Sequence, residues 1–298
     1  MLQRVLEHAG RLLPVEQRFP TERRVRGWFD QQRLMRADYA IVSFGKSGRT
    51  WVRVMTSRLY QLMYELDYDQ LLEFGNYHWR DRRIPRVLFT HDNYLRDYTR
   101  DGTSKRAYAG KRVVLLARHP ADVTMSQYFQ WKHRMRAHKV ALNQYPPVST
   151  GLDPYGFMTS TSGLSKVIAF LNEWAEALPT LDQSLVIRYE DLRADTPREL
   201  RRLAAFLGLS PSDAIVGAVV EYAAFENMKQ REAEKASDSD RLRATDVSNP
   251  DSFKTRRGKV GGWSDYFDDA QCDEIDRIVE TTLHPSYGYR VAAAAAAS

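Results

Sequence analysis

The chain has 298 residues, room for one large domain or two small ones, and 43% of them are hydrophobic, which excludes a disordered chain. A formal net charge of +6 at pH 7 fits a nucleic-acid binder, or an enzyme for a multiply charged nucleotide or an anionic acceptor, and does not choose between them. The lone Cys272 allows no disulfide within the chain and suits a reducing, cytoplasmic setting, and no stretch approaches the ~20 apolar residues of a membrane span.

The opening residues, MLQRVLEHAGRLLPVEQRF, are too charged for a secretory leader. Leu2, Val5, Leu6, Leu12 and Leu13 would share one face of a short helix, so residues 1–35 read as a helical extension packed on the domain. YAIVSF (39–44) reads as a buried strand, and TWVRVMTSRLYQLMYEL (50–66) as the helix behind it. RVLFTH (86–91) and KRVVLLAR (111–118) are further strands. ADVTMSQYFQWKHRM (121–135) is a helix with Pro120 near its start, and SKVIAFLNEWAEAL (165–178) is an amphipathic one. SLVIRYEDL (184–192) reads as a fourth strand followed by a loop. TPRELRRLAAFLGL (196–209) reads as a helix capped by Thr196, with Pro197 in its first turn and Glu199 three residues on. Strand–helix alternation with continuous apolar strands implies an α/β fold, a mainly parallel sheet covered by helices. The polar segment 230–262 reads as a long mobile loop, and 291–298 as a low-complexity tail. No internal repeat divides the chain, so one domain with a core of about 36–290 is expected.

Gly45-Lys46-Ser47 directly follows the first strand. A nucleoside-triphosphate loop of the pattern G-x-x-x-x-G-K-[ST] would need glycine at position 40, where Ala40 stands inside the strand. What remains is a strand, a short glycine-flanked turn and a helix beginning near Thr50. That geometry aims backbone N–H groups and a helix N-terminus at a small terminal phosphate. Lys46 adds a point charge there, and Ser47 and Thr50 add hydroxyls. Arg118 follows another strand, with Ser126 about two turns inside the next helix. Tyr189 ends the fourth strand, FENMK sets Phe225 beside Met228, and FKTRRGKVGGW gathers Arg256, Arg257 and Lys259 around Gly258.

Together these segments resemble the sulfotransferases that use 3'-phosphoadenosine-5'-phosphosulfate (PAPS). SFGKSGRTW is similar to their 5'-phosphosulfate loop, and ARHPADVTMSQYF to their 3'-phosphate segment. RYEDL and RRGKVGGW resemble their adenine-side strand end and late glycine-rich loop. The four motifs occur in the family's order between 39 and about 267. The resemblance implies a three-layer fold related to P-loop nucleotide-binding proteins, PAPS as donor with adenosine 3',5'-bisphosphate as product, and no metal. It implies that Lys46, Ser47, Gly48, Arg49, Thr50 and Trp51 cradle the 5' end, and that Lys46 stabilises charge on the leaving phosphate oxygen. It further implies that Arg118, Ser126, Arg256, Arg257 and Gly258 hold the 3'-phosphate, for which arginine's planar fork is suited. Tyr189 would hydrogen-bond the adenine, with Trp51, Phe225 and Met228 about its ring.

LFTHDN resembles the family's T-H segment, which makes His91 the expected general base, with Asp92 as the competing carboxylate. His78, His119, His133 and His138 are expected to be structural. Several positions depart from the pattern. Gly45 replaces a proline, Arg49 a threonine, and Phe89 stands where many cytosolic members carry lysine. Ala224 replaces a serine or threonine before Phe225, and the dimer motif of many cytosolic members is absent. The acceptor is expected to be a small molecule or glycan, with Tyr64, Tyr68, Phe74, Tyr77, Trp79, Tyr94, Tyr128, Phe129 and Trp131 as candidate walls, most of them core. Nucleic acid is not expected as a partner, and peripheral membrane contact through the acceptor stays open. The rivals are a nucleotide-dependent kinase, a non-catalytic nucleic-acid binder, and a nucleotide-binding relative without transfer activity.

Overall fold

The computed structural model describes residues 14–233 and 258–289. The expectations for residues 2–13, for 234–257 with Arg256 and Arg257, and for the final alanine run fall outside them. The chain forms α1 (Val15–Arg36), β1 (Tyr39–Ser43), α2 (Arg49–Met63), β2 (Val87–Thr90), β3 (Arg112–Ala117) and α3 (Pro120–His133). It continues through α4 (Leu164–Ala177), β4 (Gln183–Arg188), α5 (Tyr189–Ala194), α6 (Thr196–Phe206), α7 (Asp213–Tyr222), α8 (Phe225–Ala233) and α9 (Asp269–Thr282). Single helical turns fill several of the connections.

The strands pair in the order β2-β1-β3-β4, every pair parallel. Tyr39 lies opposite Val87 on one side and Arg112 on the other, and Arg112 lies opposite Gln183. All five β1 residues are buried, as a strand covered on both faces requires. The two-residue alternation divides them between two cores. Ala40, Val42, Val113, Leu115 and Ala117 pack with α3, α4 and α9. Tyr39, Ile41, Val114 and Leu116 pack on the other face with α2, α6 and α7. This is the expected helix–sheet–helix arrangement.

The strand order places β1 between β2 and β3, so the chain leaves β1 toward opposite sides of the sheet on successive crossovers. Loops that follow the strands on either side of such a reversal splay apart and leave a crevice. The loop after β1 carries Lys46, and the residue after β3 is Arg118.

Three local expectations change. Helix α5 begins directly after β4, where a loop was read, because Tyr189 and Leu192 turn inward and are buried. The cap of α6 is Asp195, whose carboxylate accepts from the Arg198 amide at 3.0 Å; the Thr196 hydroxyl bonds back to the Leu192 carbonyl at 2.8 Å. An acidic cap one residue earlier takes the orphan amide, and Glu199, 1% exposed, is left to pair with Arg198 and Arg202. Finally, α8 runs through Ala233, so the start of the 230–262 segment is helical.

Candidate active site

The crevice is a cavity of about 960 Å³ at the C-terminal ends of β1, β2 and β3. One wall is the loop between β1 and α2. Lys46 and Gly48 both take left-handed backbone angles, φ 74° and 89°. Such residues just before a helix curl the chain into an amide-lined hollow suited to an anion. Lys46, Gly48, Arg49, Thr50 and Trp51 line the cavity; Ser47 is buried at 3% exposure and does not. A Cβ on Gly48 would stand 2.8 Å from the Tyr189 ring. Gly48→Ala therefore meets both a left-handed penalty of roughly 1–2 kcal/mol and a collision with Tyr189. A lowered melting temperature and a weakened affinity for a nucleotide phosphate are expected together; calorimetry of the variant checks both.

Arg118 knits three parts of this wall. Its guanidinium donates to the Lys46 carbonyl at 3.2 Å and the Lys259 carbonyl at 3.3 Å, and lies 4.3 Å from the Tyr189 ring centroid. Its Nε is buried and has no hydrogen-bond partner among the described residues. Asp122, one helical turn on, approaches Arg118 at 3.4 Å and accepts from the amides of Gly261 (2.9 Å) and Trp263 (3.1 Å). It thereby pins the late glycine-rich loop to α3. Gly258, at φ 61°, sits so close to Phe225 that a Cβ would lie 2.8 Å from its ring. Ser126 lines the same region.

An aromatic slot lies beside it, formed by Trp51, Tyr189, Phe225 and Met228. Trp51 meets Tyr189 edge-on at 6.0 Å and donates its indole N–H to the Ala223 carbonyl at 2.8 Å. The Arg193 guanidinium lies 5.7 Å from the Trp51 ring and 6.0 Å from Phe225. Burial raises the Tyr189 phenol above its ordinary range, which keeps it a donor.

His91 follows β2 and faces the same space. Its Nδ1 lies 2.8 Å from the Ser43 carbonyl, which can only accept, so Nδ1 carries the proton. Nε2 is then the lone-pair nitrogen, and Arg49 Nη2 donates to it at 2.5 Å. Asp92, the competing carboxylate, is held in an ion pair and a hydrogen bond. Its side chain is 4% exposed, paired with Lys105 at 2.8 Å and with the Tyr108 hydroxyl at 2.9 Å. Burial pushes its carboxyl above the usual range, an effect Lys105 opposes. The other named histidines do not line the cavity: His78 meets the Ile84 carbonyl, His133 stacks on Phe129, and His138 faces Glu22. Burial pulls His119 down to about 4, so it is neutral near pH 7.

Of the aromatic residues expected as acceptor walls, Tyr94 alone lines the cavity; Tyr77, Tyr128 and Trp131 are core, and Trp79 is 71% exposed. Phe44, Tyr145 and Phe170 supply the walls instead. Arg193 and Asp122 were missed. Each lies four residues past a singled-out residue, Tyr189 and Arg118, close enough along a helix start to reach the same site; that spacing was the available signal.

One crevice thus gathers the Lys46–Gly48 turn, the aromatic side chains, the Arg118 cluster and His91 at the C-terminal ends of a parallel sheet, where α/β folds bind ligands. A family model described as "Sulfotransferase domain" matches residues 102–286, and the chain belongs to that family of enzymes. Sulfotransferase 2A6 of Rattus norvegicus is 24% identical over 241 residues, covering 80% of this chain and 76% of that protein. Cytosolic sulfotransferase 17 of Arabidopsis thaliana is 28% identical over 269 residues, 82% of this chain and 73% of its own. The match to Arabidopsis cytosolic sulfotransferase 15 spans 58% of this chain and 47% of that protein. Among solved structures, mouse sulfotransferase SULT7A1 complexed with PAP aligns with a TM-score of 0.55 at 20% identity, over 83% of this chain and 84% of its own. Retinol dehydratase in complex with retinol and PAP aligns at 0.54 and 18%, over 82% and 80%. These structures share the fold. No described helix is long and apolar enough to cross a membrane.

Proposed function

We propose that the protein transfers a sulfuryl group from PAPS to an acceptor hydroxyl, with His91 as general base. The observation that carries this reading is the fixed tautomer of His91. Ser43 holds the proton on Nδ1, and the basic Nε2 faces the cavity that Lys46 also lines.

The residues present suit the donor, and also PAP, with which SULT7A1 and retinol dehydratase are complexed. The 46–48 hollow offers amides and the Lys46 charge to a 5'-phosphate. The side chains of Trp51, Tyr189, Phe225 and Met228 offer the apolar and aromatic contacts that a purine ring would use. Arg118, with a buried Nε that has no partner among the described residues, and Ser126 supply donors for a 3'-phosphate. Arg256 and Arg257 would complete that end. When bound, PAPS supplies an electrophilic sulfur on a good leaving phosphate.

The chain's own residues then divide the work. His91 Nε2 takes the acceptor's hydroxyl proton, while Ser43 holds the ring in place through Nδ1. Lys46 sets a fixed positive charge where the leaving phosphate gains charge. Arg49 donates to His91 Nε2, a contact that a threonine at that position would be too short and uncharged to reproduce, and would place a positive charge near the sulfuryl group of a bound donor. Phe89, where many cytosolic members have lysine, carries no charge; Arg53 lies 4.2 Å from its ring but is tied to Glu73 at 2.8 Å. The burden of charge stabilisation therefore falls on Lys46 and Arg49.

The direct test is incubation with PAPS and a panel of alcohols, phenols and sugars, read by mass spectrometry for sulfated product. Transfer to none of them by an enzyme that also fails to bind adenosine 3',5'-bisphosphate would overturn the reading.

A further inference from the structure

The donor reading uses one half of the cavity. The other half is closed by α1, α4 and the segment around Asn143, and it is strongly basic. Lys166, Ala169, Phe170 and Glu173 line it from one face of α4, at the 3–4-residue spacing of a helical stripe. At the inner end, Glu173 binds Lys105 at 3.0 Å, and Lys105 holds Asp92, the residue next to His91. Lys166 stands two turns away, roughly 10 Å along the helix axis.

Several cations here already have carboxylates. Arg23 pairs with Asp97 at 2.8 Å, and Arg96 with Glu173 at 3.6 Å. Lys166 differs. Its ammonium donates to the Asn143 carbonyl at 2.9 Å and lies 4.1 Å from the Tyr145 ring centroid, and no carboxylate among the described residues pairs with it. A half-buried charge faced by a carbonyl, a ring and other cations is a costly arrangement unless an anion joins it. The ammonium responds as expected: burial pulls it down to about 8, and the charges of Arg23 and Arg96 press the same way. It remains mainly protonated near pH 7. Arg136, exposed at the rim, adds charge that steers anions inward.

Resting on the sulfotransferase reading, we propose that the acceptor is itself an acid. Its carboxylate, or its sulfate or phosphate ester, docks on Lys166 while its hydroxyl lies at His91. Lys166 is the specificity-determining residue, and acceptors are low-mass acidic alcohols, phenols or acidic sugars rather than uncharged lipids.

The test uses matched pairs that share one hydroxyl: 4-hydroxyphenylacetic acid, galacturonic acid and a hydroxylated bile acid, each against its methyl ester, with PAPS as donor. Wild-type enzyme should favour the acid by about 10–100-fold in kcat/KM, the range for one charge-assisted hydrogen bond. Lys166→Gln should erase that preference, mainly through KM, and leave turnover of the esters and affinity for adenosine 3',5'-bisphosphate in place. Lys166→Arg should restore most of it. A strut that merely supports α4 would lower acids and esters alike. The proposal is overturned if esters are used as well as acids in every active pair, or if the preference survives in Lys166→Gln. It is equally overturned if an enzyme that binds the bisphosphate sulfates no acid in the panel. Failure to bind the bisphosphate at all sinks the donor reading instead, and this proposal with it.

Discussion

Replacing His91 with alanine is expected to lower the rate of sulfuryl transfer by about 10²–10⁴ while leaving donor affinity little changed. The structure sharpens the expectation in two ways. Nε2 is the basic nitrogen because the Ser43 carbonyl holds Nδ1–H. The adjacent carboxylate is already engaged, Asp92 being paired with Lys105 and the Tyr108 hydroxyl, so little compensation is expected from it. His91→Asn is the companion variant. It can keep a donor toward Ser43 but cannot accept the acceptor's proton, so it should lose as much rate as alanine. Single-turnover kinetics with PAPS, alongside titration with adenosine 3',5'-bisphosphate, reads both quantities. A near wild-type rate in either variant would remove His91 from the mechanism.

The second large effect concerns the donor end. Adenosine 3',5'-bisphosphate should bind at least ~100-fold more tightly than AMP, and without magnesium. AMP keeps the 46–51 hollow and the aromatic slot but leaves the donors of Arg118 and Ser126 unused, and charge-assisted hydrogen bonds contribute roughly 1.5–3 kcal/mol each. Lys46→Ala should weaken both ligands and keep their ratio. Arg118→Ala should shrink the ratio. It should also weaken AMP somewhat, because Arg118 holds the Lys46 carbonyl and so shapes the 5' hollow. Calorimetry on the three proteins separates these outcomes. Equal affinity for AMP and the bisphosphate, or a magnesium-dependent preference for ATP, would favour a kinase.

What the sequence disclosed follows from what each element buries. The strands are legible because a parallel strand covered on both faces is a continuous apolar run, as in YAIVS. Lys46, Arg118 and His91 are legible because each stands at or just past the end of such a run, on the side of the sheet where ligands gather. Helix α1 is harder to read. VEQRFPTERRVRGWFDQQRLMR has no clean apolar stripe, and its polar docking contacts include Glu22 facing His138 and Arg23 reaching Asp97 and the Leu142 carbonyl. Partners of this kind lie 70 or more residues away and leave no local pattern. The same holds for Lys166, which in sequence is one polar residue on the outer face of an amphipathic helix. Its role depends on Asn143, Tyr145, Arg23 and Arg96 converging from other segments. Of the candidate walls, Tyr77 is core and Trp79 is exposed, because a single aromatic residue in sequence does not tell which of core, surface or cavity it serves.

The hydrogen bond from Arg49 to His91 sets a thermodynamic condition on the whole site. With His91 as the proposed base, the lone pair that would receive a proton is already engaged, so any hydroxyl approaching it would compete with a guanidinium. Measured acceptor affinity then contains the work of parting Arg49 from His91, and only the fraction of molecules in which they are apart is competent. Anything anionic that draws Arg49 aside lowers that work. Linkage is reciprocal, so a ligand that frees His91 for the acceptor is itself held more firmly once the acceptor has arrived. One short contact at position 49 thus makes two neighbouring binding events a single cooperative equilibrium.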